Sequence, residues 1–142
     1  MATLNPYLSF RDSARAAMDF YQSVFGGEVS RMTFGDMPMP GLTEADAALV
    51  MHSQLTTDNG FTLMAADTPA YMELSPGNNF SVSLSGPAAD EAQLRGYWER
   101  LCDGATITAE LNQAPWGDTF GMLTDKFGVG WMVNIAGEQS AG

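Results

Sequence analysis

One histidine, one cysteine and a few aspartates carry most of the reactive chemistry available to this chain. His52 sits in Val50-Met51-His52-Ser53-Gln54-Leu55, an extended pattern that puts Met51 and Leu55 on one face and His52 with Gln54 on the other. An imidazole titrates near neutrality and can serve as a general base. No carboxylate is placed by the sequence to orient it, so a hydrogen-bonded structural or ligand-contact role is the expectation. Trp116, Gly117 and Asp118 precede a later strand. The indole can stack on a flat ligand or plug the end of the sheet, and plugging is the expected role. Asp118 could act as an acid or base, although an aspartate here more often closes a turn. Asp125 is read as the cap of the turn Asp125-Lys126-Phe127-Gly128. Cys102 can form neither an intrachain disulfide nor a zinc knuckle, and near a helix end it reads as a small buried residue. No serine occupies a Gly-x-Ser-x-Gly elbow. Gly26-Gly27 ends a helix rather than opening one, so no phosphate loop or S-adenosylmethionine loop is present there.

The surface narrows the partners further. The chain has 142 residues, 17 acidic against 6 basic, for a net charge of −11. That balance repels phosphate backbones and anionic lipid heads, so neither nucleic acid nor a membrane surface is an expected partner. No apolar run approaches the ~20 residues of a membrane span, and no basic-then-apolar leader pattern is seen. With the lone cysteine, this leads us to expect a cytoplasmic location. A composition 45% hydrophobic and 16% charged is that of a folded domain.

The elements that must position these residues follow from periodicity. Asn5-Pro6-Tyr7-Leu8-Ser9-Phe10 reads as a strand. A helix to Phe25 follows, with Asp12 or Ser13 at its start and Ala14, Ala17, Met18, Tyr21, Val24 and Phe25 as its apolar stripe. Glu28–Phe34 is a strand, residues 35–47 are a loop, and Ala48–Leu55 with Phe61–Ala66 form a hairpin through Asn59-Gly60. Met37 and Met39 in the loop could close over an apolar ligand. Residues 68–77 connect to a second series: a strand Asn79–Leu84, a helix Ala89–Leu101 burying Ala92 or Leu94 with Tyr97, Trp98 and Leu101, then strands Ala105–Leu111, Gly117–Thr124 and Gly130–Ile135. The second series repeats the first, which predicts a duplicated α+β fold of two βαβββ modules, residues 4–67 and 78–136, in a single domain of residues 1–142.

The opening Asn5–Phe10 strand, Phe20-Tyr21 with Phe25-Gly26-Gly27, Trp116-Gly117, Thr124–Gly128 and Trp131 together resemble the PhnB-like branch of the vicinal oxygen chelate superfamily. That superfamily also holds glyoxalase I, bleomycin-resistance proteins and extradiol dioxygenases. The resemblance implies paired modules whose mixed sheets curve around a cavity, with helices outside. Pro6, Leu8, Phe10, Phe80, Val82, Leu84, Trp131, Val133 and Ile135 would face the helices. Asn5, Tyr7, Ser9, His52, Gln54, Asn79, Ser81, Ser83, Met132 and Asn134 would face the cavity, with Met64 beside them and Trp116 at its rim. Metal-using members bind one divalent ion on the first and fourth strands of each module, which here implies Asn5, Met64, Asn79 and Met132. Amides and thioethers are poor donors for the common catalytic ions. The expected function is therefore metal-independent binding of a small, partly apolar molecule in the inter-module cavity, with no cofactor. The alternative is a divalent-metal-dependent lyase, isomerase or dioxygenase using His52 or ligands displaced by a register shift. A third reading is a protein with a vestigial pocket whose interface matters more. The resemblance also implies a homodimer.

Overall fold

Period-two alternation produces β1 (Tyr7–Phe10), whose Leu8 and Phe10 are buried while Tyr7 and Ser9 point the other way. The computed structural model describes residues 2–37 and 40–137. It divides into two units, Met1–Pro76 and Gly77–Gly142. In the first unit β1 leads to α1 (Ala14–Phe25), β2 (Glu28–Thr33), a single turn of 3-10 helix at Phe34–Asp36, the one-turn α2 (Glu44–Ala47), β3 (Val50–Thr56) and β4 (Thr62–Asp67). The strands form one mixed sheet in the order β1-β4-β3-β2, with β1 parallel to β4 and the rest antiparallel.

α1 buries Ala14, Ala17, Met18, Tyr21 and Val24 against β2, β3 and β4. Phe25, expected in that stripe, is only half-buried. The start of α1 departs from expectation. Ser13 makes no side-chain cap and Asp12 is exposed. Instead the buried Asp67 at the end of β4 accepts the Ala14 N–H on Oδ1 (2.8 Å) and the Val50 N–H on Oδ2 (2.9 Å). One carboxylate thus ties a helix start to a strand start, satisfying two donors that burial would otherwise leave unpaired.

The second unit repeats the plan: β5 (Val82–Gly86), a 3-10 turn at Ala88–Asp90, α3 (Glu91–Leu101), β6 (Thr106–Gln113), β7 (Thr119–Thr124) and β8 (Gly130–Ile135). Its sheet order β5-β8-β7-β6 matches the first, with β5 parallel to β8. α3 buries Leu94 rather than Ala92, together with Tyr97, Trp98 and Leu101. The turn from β7 into β8 needs Gly128 at φ +90°, where a side chain would be strained.

Four further expectations change. β5 begins at Val82, so Asn79 and Ser81 lie ahead of the strand, and Phe80, expected under the helix, is 65% exposed. Likewise Asn5 and Pro6 precede β1. The segment of residues 35–47, read as a loop, contains the end of the 3-10 turn and α2. Met37 is exposed, and Met39 lies outside the described residues. In β3 a register shift places Thr33 opposite Val50 and Met32 opposite His52. Met51 is the extra residue of this bulge, so Val50 and Ser53, rather than Met51, join Leu55 in the core. No described helix is long and apolar enough to cross a membrane.

Candidate functional site

The face of the first sheet turned away from α1 gathers its polar and thioether groups in two rows. One row runs Tyr7, Met64, Gln54, Ser30 across β1, β4, β3 and β2. The next carries Ser9 and Ala66, with His52 opposite Met32. Tyr7 is 50% exposed and Met32 42%, while His52, Gln54 and Met64 are half-buried. The Tyr7 hydroxyl lies 3.2 Å from His52 Nδ1, with ring centroids 5.7 Å apart and planes at 32°. A side chain on β1 thus meets one on β3 across the intervening β4, where Ala66 presents only a methyl group. The bulge at Met51 sets where the His52 end of β3 points.

This contact is the orienting group that no nearby carboxylate supplied. Reading the sequence placed both residues on one face but missed their pairing, since it depends on β1 and β3 flanking the same strand. Gln54 donates from Nε2 to the Thr56 hydroxyl (3.1 Å), leaving its amide oxygen available.

The second sheet corresponds to the first by register. Leu8, Ala65 and Ser53 in one match Leu84, Val133 and Gly121 in the other. The same correspondence matches Tyr7 with Ser83, Met64 with Met132, Gln54 with Met122 and Ser9 with Ser85. His52 then corresponds to Phe120, so the phenol–imidazole pair belongs to the first unit alone. It also matches Asn5 with Ser81 rather than Asn79, a two-residue correction to the alignment of the opening strands.

Asn134 donates to Asp118 Oδ2 (3.2 Å), and Asp118 Oδ1 accepts the Gly137 N–H (3.0 Å). Asp118 therefore anchors the end of β8, which is the turn-type role. Trp116 is 66% exposed in a tight turn closed by Ala114 N–H to Asp118 O (2.6 Å) and Gly117 N–H to Ala114 O (2.9 Å). Asn5 spends its amide on the Thr3 hydroxyl at 2.9 Å. Asn79 and Ser81 are exposed. Cys102 is half-buried, and its thiol is pushed above its ordinary pKa by burial first, then by Glu110 and Glu99. It is held as the unreactive thiol.

The donor set for a metal can be judged on chemistry. Asn5, Met64, Asn79 and Met132 offer neutral amide oxygens and soft thioethers, and replacing Asn79 by Ser81 adds only a hydroxyl. Among the described residues, no three or more His, Cys, Asp or Glu side chains gather where an ion could be held. The residues present do not fit a catalytic divalent ion.

A family model described as the Glyoxalase/Bleomycin resistance protein/Dioxygenase superfamily matches residues 3–133. Protein YjdN of Escherichia coli is 27% identical over 96% of this chain and 97% of its own length. Protein Mb0911c of Mycobacterium bovis is 31% identical over 92% of this chain and 80% of its own. The crystal structure of PA1353 from Pseudomonas aeruginosa superposes with a TM-score of 0.83 at 31% identity, covering 96% of this chain and 98% of that one. A PhnB protein from Bacillus cereus superposes at 0.70 with 26% identity, covering 95% and 100%.

Proposed function

Since the chain belongs to the Glyoxalase/Bleomycin resistance protein/Dioxygenase superfamily, we propose that it binds a small, partly apolar molecule without a metal, against the sheet face that carries Tyr7 and His52. The observation behind this reading is the composition of that face. The Tyr7 ring and the Met32 and Met64 thioethers supply apolar contact, while His52 and Gln54 supply a few directed polar groups. Apolar walls with sparse polar groups are what small-molecule sites use, and methionine adapts to more than one shape.

Screening neutral aromatic compounds for thermal stabilisation tests the reading. Tyr7→Ala and Met64→Ala are each expected to weaken the affinity of a compound so found by roughly tenfold, the loss of about one buried contact of 1–2 kcal/mol. Unchanged affinity in both variants would remove the site from this face. Metal is tested separately, on protein purified without chelator and titrated with manganese, iron, nickel and zinc ions. We expect no saturable uptake at micromolar concentration. Near-stoichiometric metal that disappears in His52→Ala would replace this reading with a metalloenzyme.

A further inference from the structure

We propose that Tyr7 holds His52 in its Nε2–H tautomer, so that this face offers a directed N–H donor and selects an uncharged molecule bearing an acceptor oxygen, such as a carbonyl. The ligand class rests on the binding reading above; the tautomer does not.

The argument starts from the 3.2 Å contact between the Tyr7 hydroxyl and His52 Nδ1. A neutral imidazole has one N–H and one bare nitrogen, and the bond made by one nitrogen decides the state of the other. A phenol donates better than it accepts, because its oxygen lone pair is delocalised into the ring. A bare imidazole nitrogen is in turn a stronger acceptor than a phenolic oxygen. The favoured arrangement is therefore Tyr7 O–H donating to Nδ1, which leaves the proton of His52 on Nε2. Tyr7 is then a positioning residue for His52. Among the described residues Nε2 has no hydrogen-bond partner, and the ring is half-buried.

A ligand packed against the edge of the His52 ring that bears Nε2 would cover that N–H. If it brings no acceptor, the donor is buried unpaired, which binding must overcome. An acceptor oxygen placed there is accordingly favoured by roughly tenfold or more over a matched compound lacking one. An anionic oxygen is disfavoured by the net charge of −11, so a neutral carbonyl suits the face better than a carboxylate. The second sheet carries Ser83 and Phe120 at the matching positions, so it holds no phenol-oriented imidazole N–H there, which makes this particular donor a property of the first unit.

Because His52 is the only histidine, its ring nitrogens give a single, self-assigned pair of signals in 15N-labelled protein. In the ligand-free protein at alkaline pH, we expect a bare Nδ1 and a protonated Nε2. Tyr7→Phe, which keeps the ring and changes an exposed site, should shift that pair toward a mixture of tautomers with unchanged thermal stability. A protonated Nδ1 in the wild type, or a pattern unmoved by Tyr7→Phe, overturns the tautomer assignment whether or not anything binds.

Titrations with acetophenone, an acceptor without a donor, and indole, a donor without a comparable acceptor, then read the ligand class. Acetophenone should move the Nε2 signal and bind at least tenfold more tightly than indole, with the difference shrinking in Tyr7→Phe. Equal binding, or binding that leaves Nε2 unmoved, overturns the acceptor preference. A wild type with the expected tautomer that takes up no compound from the wider screen overturns the binding reading and the ligand class with it.

Discussion

Asp125 shows how much one side chain can organise. Its Oδ1 accepts the N–H groups of Phe127 (2.8 Å) and Val129 (3.0 Å), and its Oδ2 accepts the indole N–H of the buried Trp131 (2.9 Å). The sequence reading placed it correctly as a turn cap but did not foresee the indole. Asp125→Ala leaves that indole donor buried without this partner, and we expect a loss of about 2–4 kcal/mol in urea unfolding. Asp125→Asn should lose less, because an amide oxygen still accepts. Cys102 gives a prediction of different sign. Its raised pKa means the folded state holds the thiol proton more tightly than the unfolded chain does. Its contribution to stability is therefore full below the unfolded thiol's pKa and fades as pH rises through the folded one. Iodoacetamide at pH 8 should alkylate folded protein more slowly than protein in urea, and Glu110→Gln should speed the folded reaction.

At the scale of elements, small residues stand at equivalent positions in the middle of the two sheets. In the first sheet that residue is Ser53, whose hydroxyl donates to Ala65 O at 2.7 Å. In the second it is Gly121 on β7, against which Trp98 of α3 packs. A Cβ at Gly121 would stand 2.8 Å from Trp98 Cη2 and 3.0 Å from the Leu111 backbone. The rigid indole cannot swing clear cheaply. Gly121→Ala should cost about 1–3 kcal/mol from overpacking, read as a lower denaturation midpoint with an unchanged slope. The same substitution at an exposed strand position would not show this loss. Gly121 could be read from the sequence as a strand glycine, but its reason could not, because the indole that fills its space comes from a helix more than 20 residues earlier.

Across the whole chain the dominant electrostatic fact is the excess of acid, with Lys126 the sole lysine. Self-repulsion of this kind destabilises the compact state and is screened by salt. The melting temperature should rise as sodium chloride is added to protein in low-salt buffer, and duplex DNA should not be retarded by the protein in a gel at low salt. A melting temperature that falls with salt would mean that attractive pairs, such as Lys126 with Asp103 (3.3 Å), outweigh the net repulsion.

The sequence by itself determined the order of the strands and the two long helices, the duplication and most of the buried faces, because periods of two and 3.6 are local and the apolar residues carry them. Leu8, Phe10, Met18, Tyr21, Leu84, Trp131, Val133 and Ile135 were all legible in this way, and all are buried. Tertiary structure decided what pairing alone can decide. Asp67 replaces Asp12 or Ser13 as the cap of α1 because β4 ends beside the helix start, 53 residues away in sequence. Tyr7 finds His52 because β4 lies between their strands in a sheet whose order differs from chain order. The bulge at Met51 and the exposure of Trp116 belong to the same class. Neighbours across a sheet are fixed by non-local hydrogen bonding and burial, and local alternation leaves that pairing open.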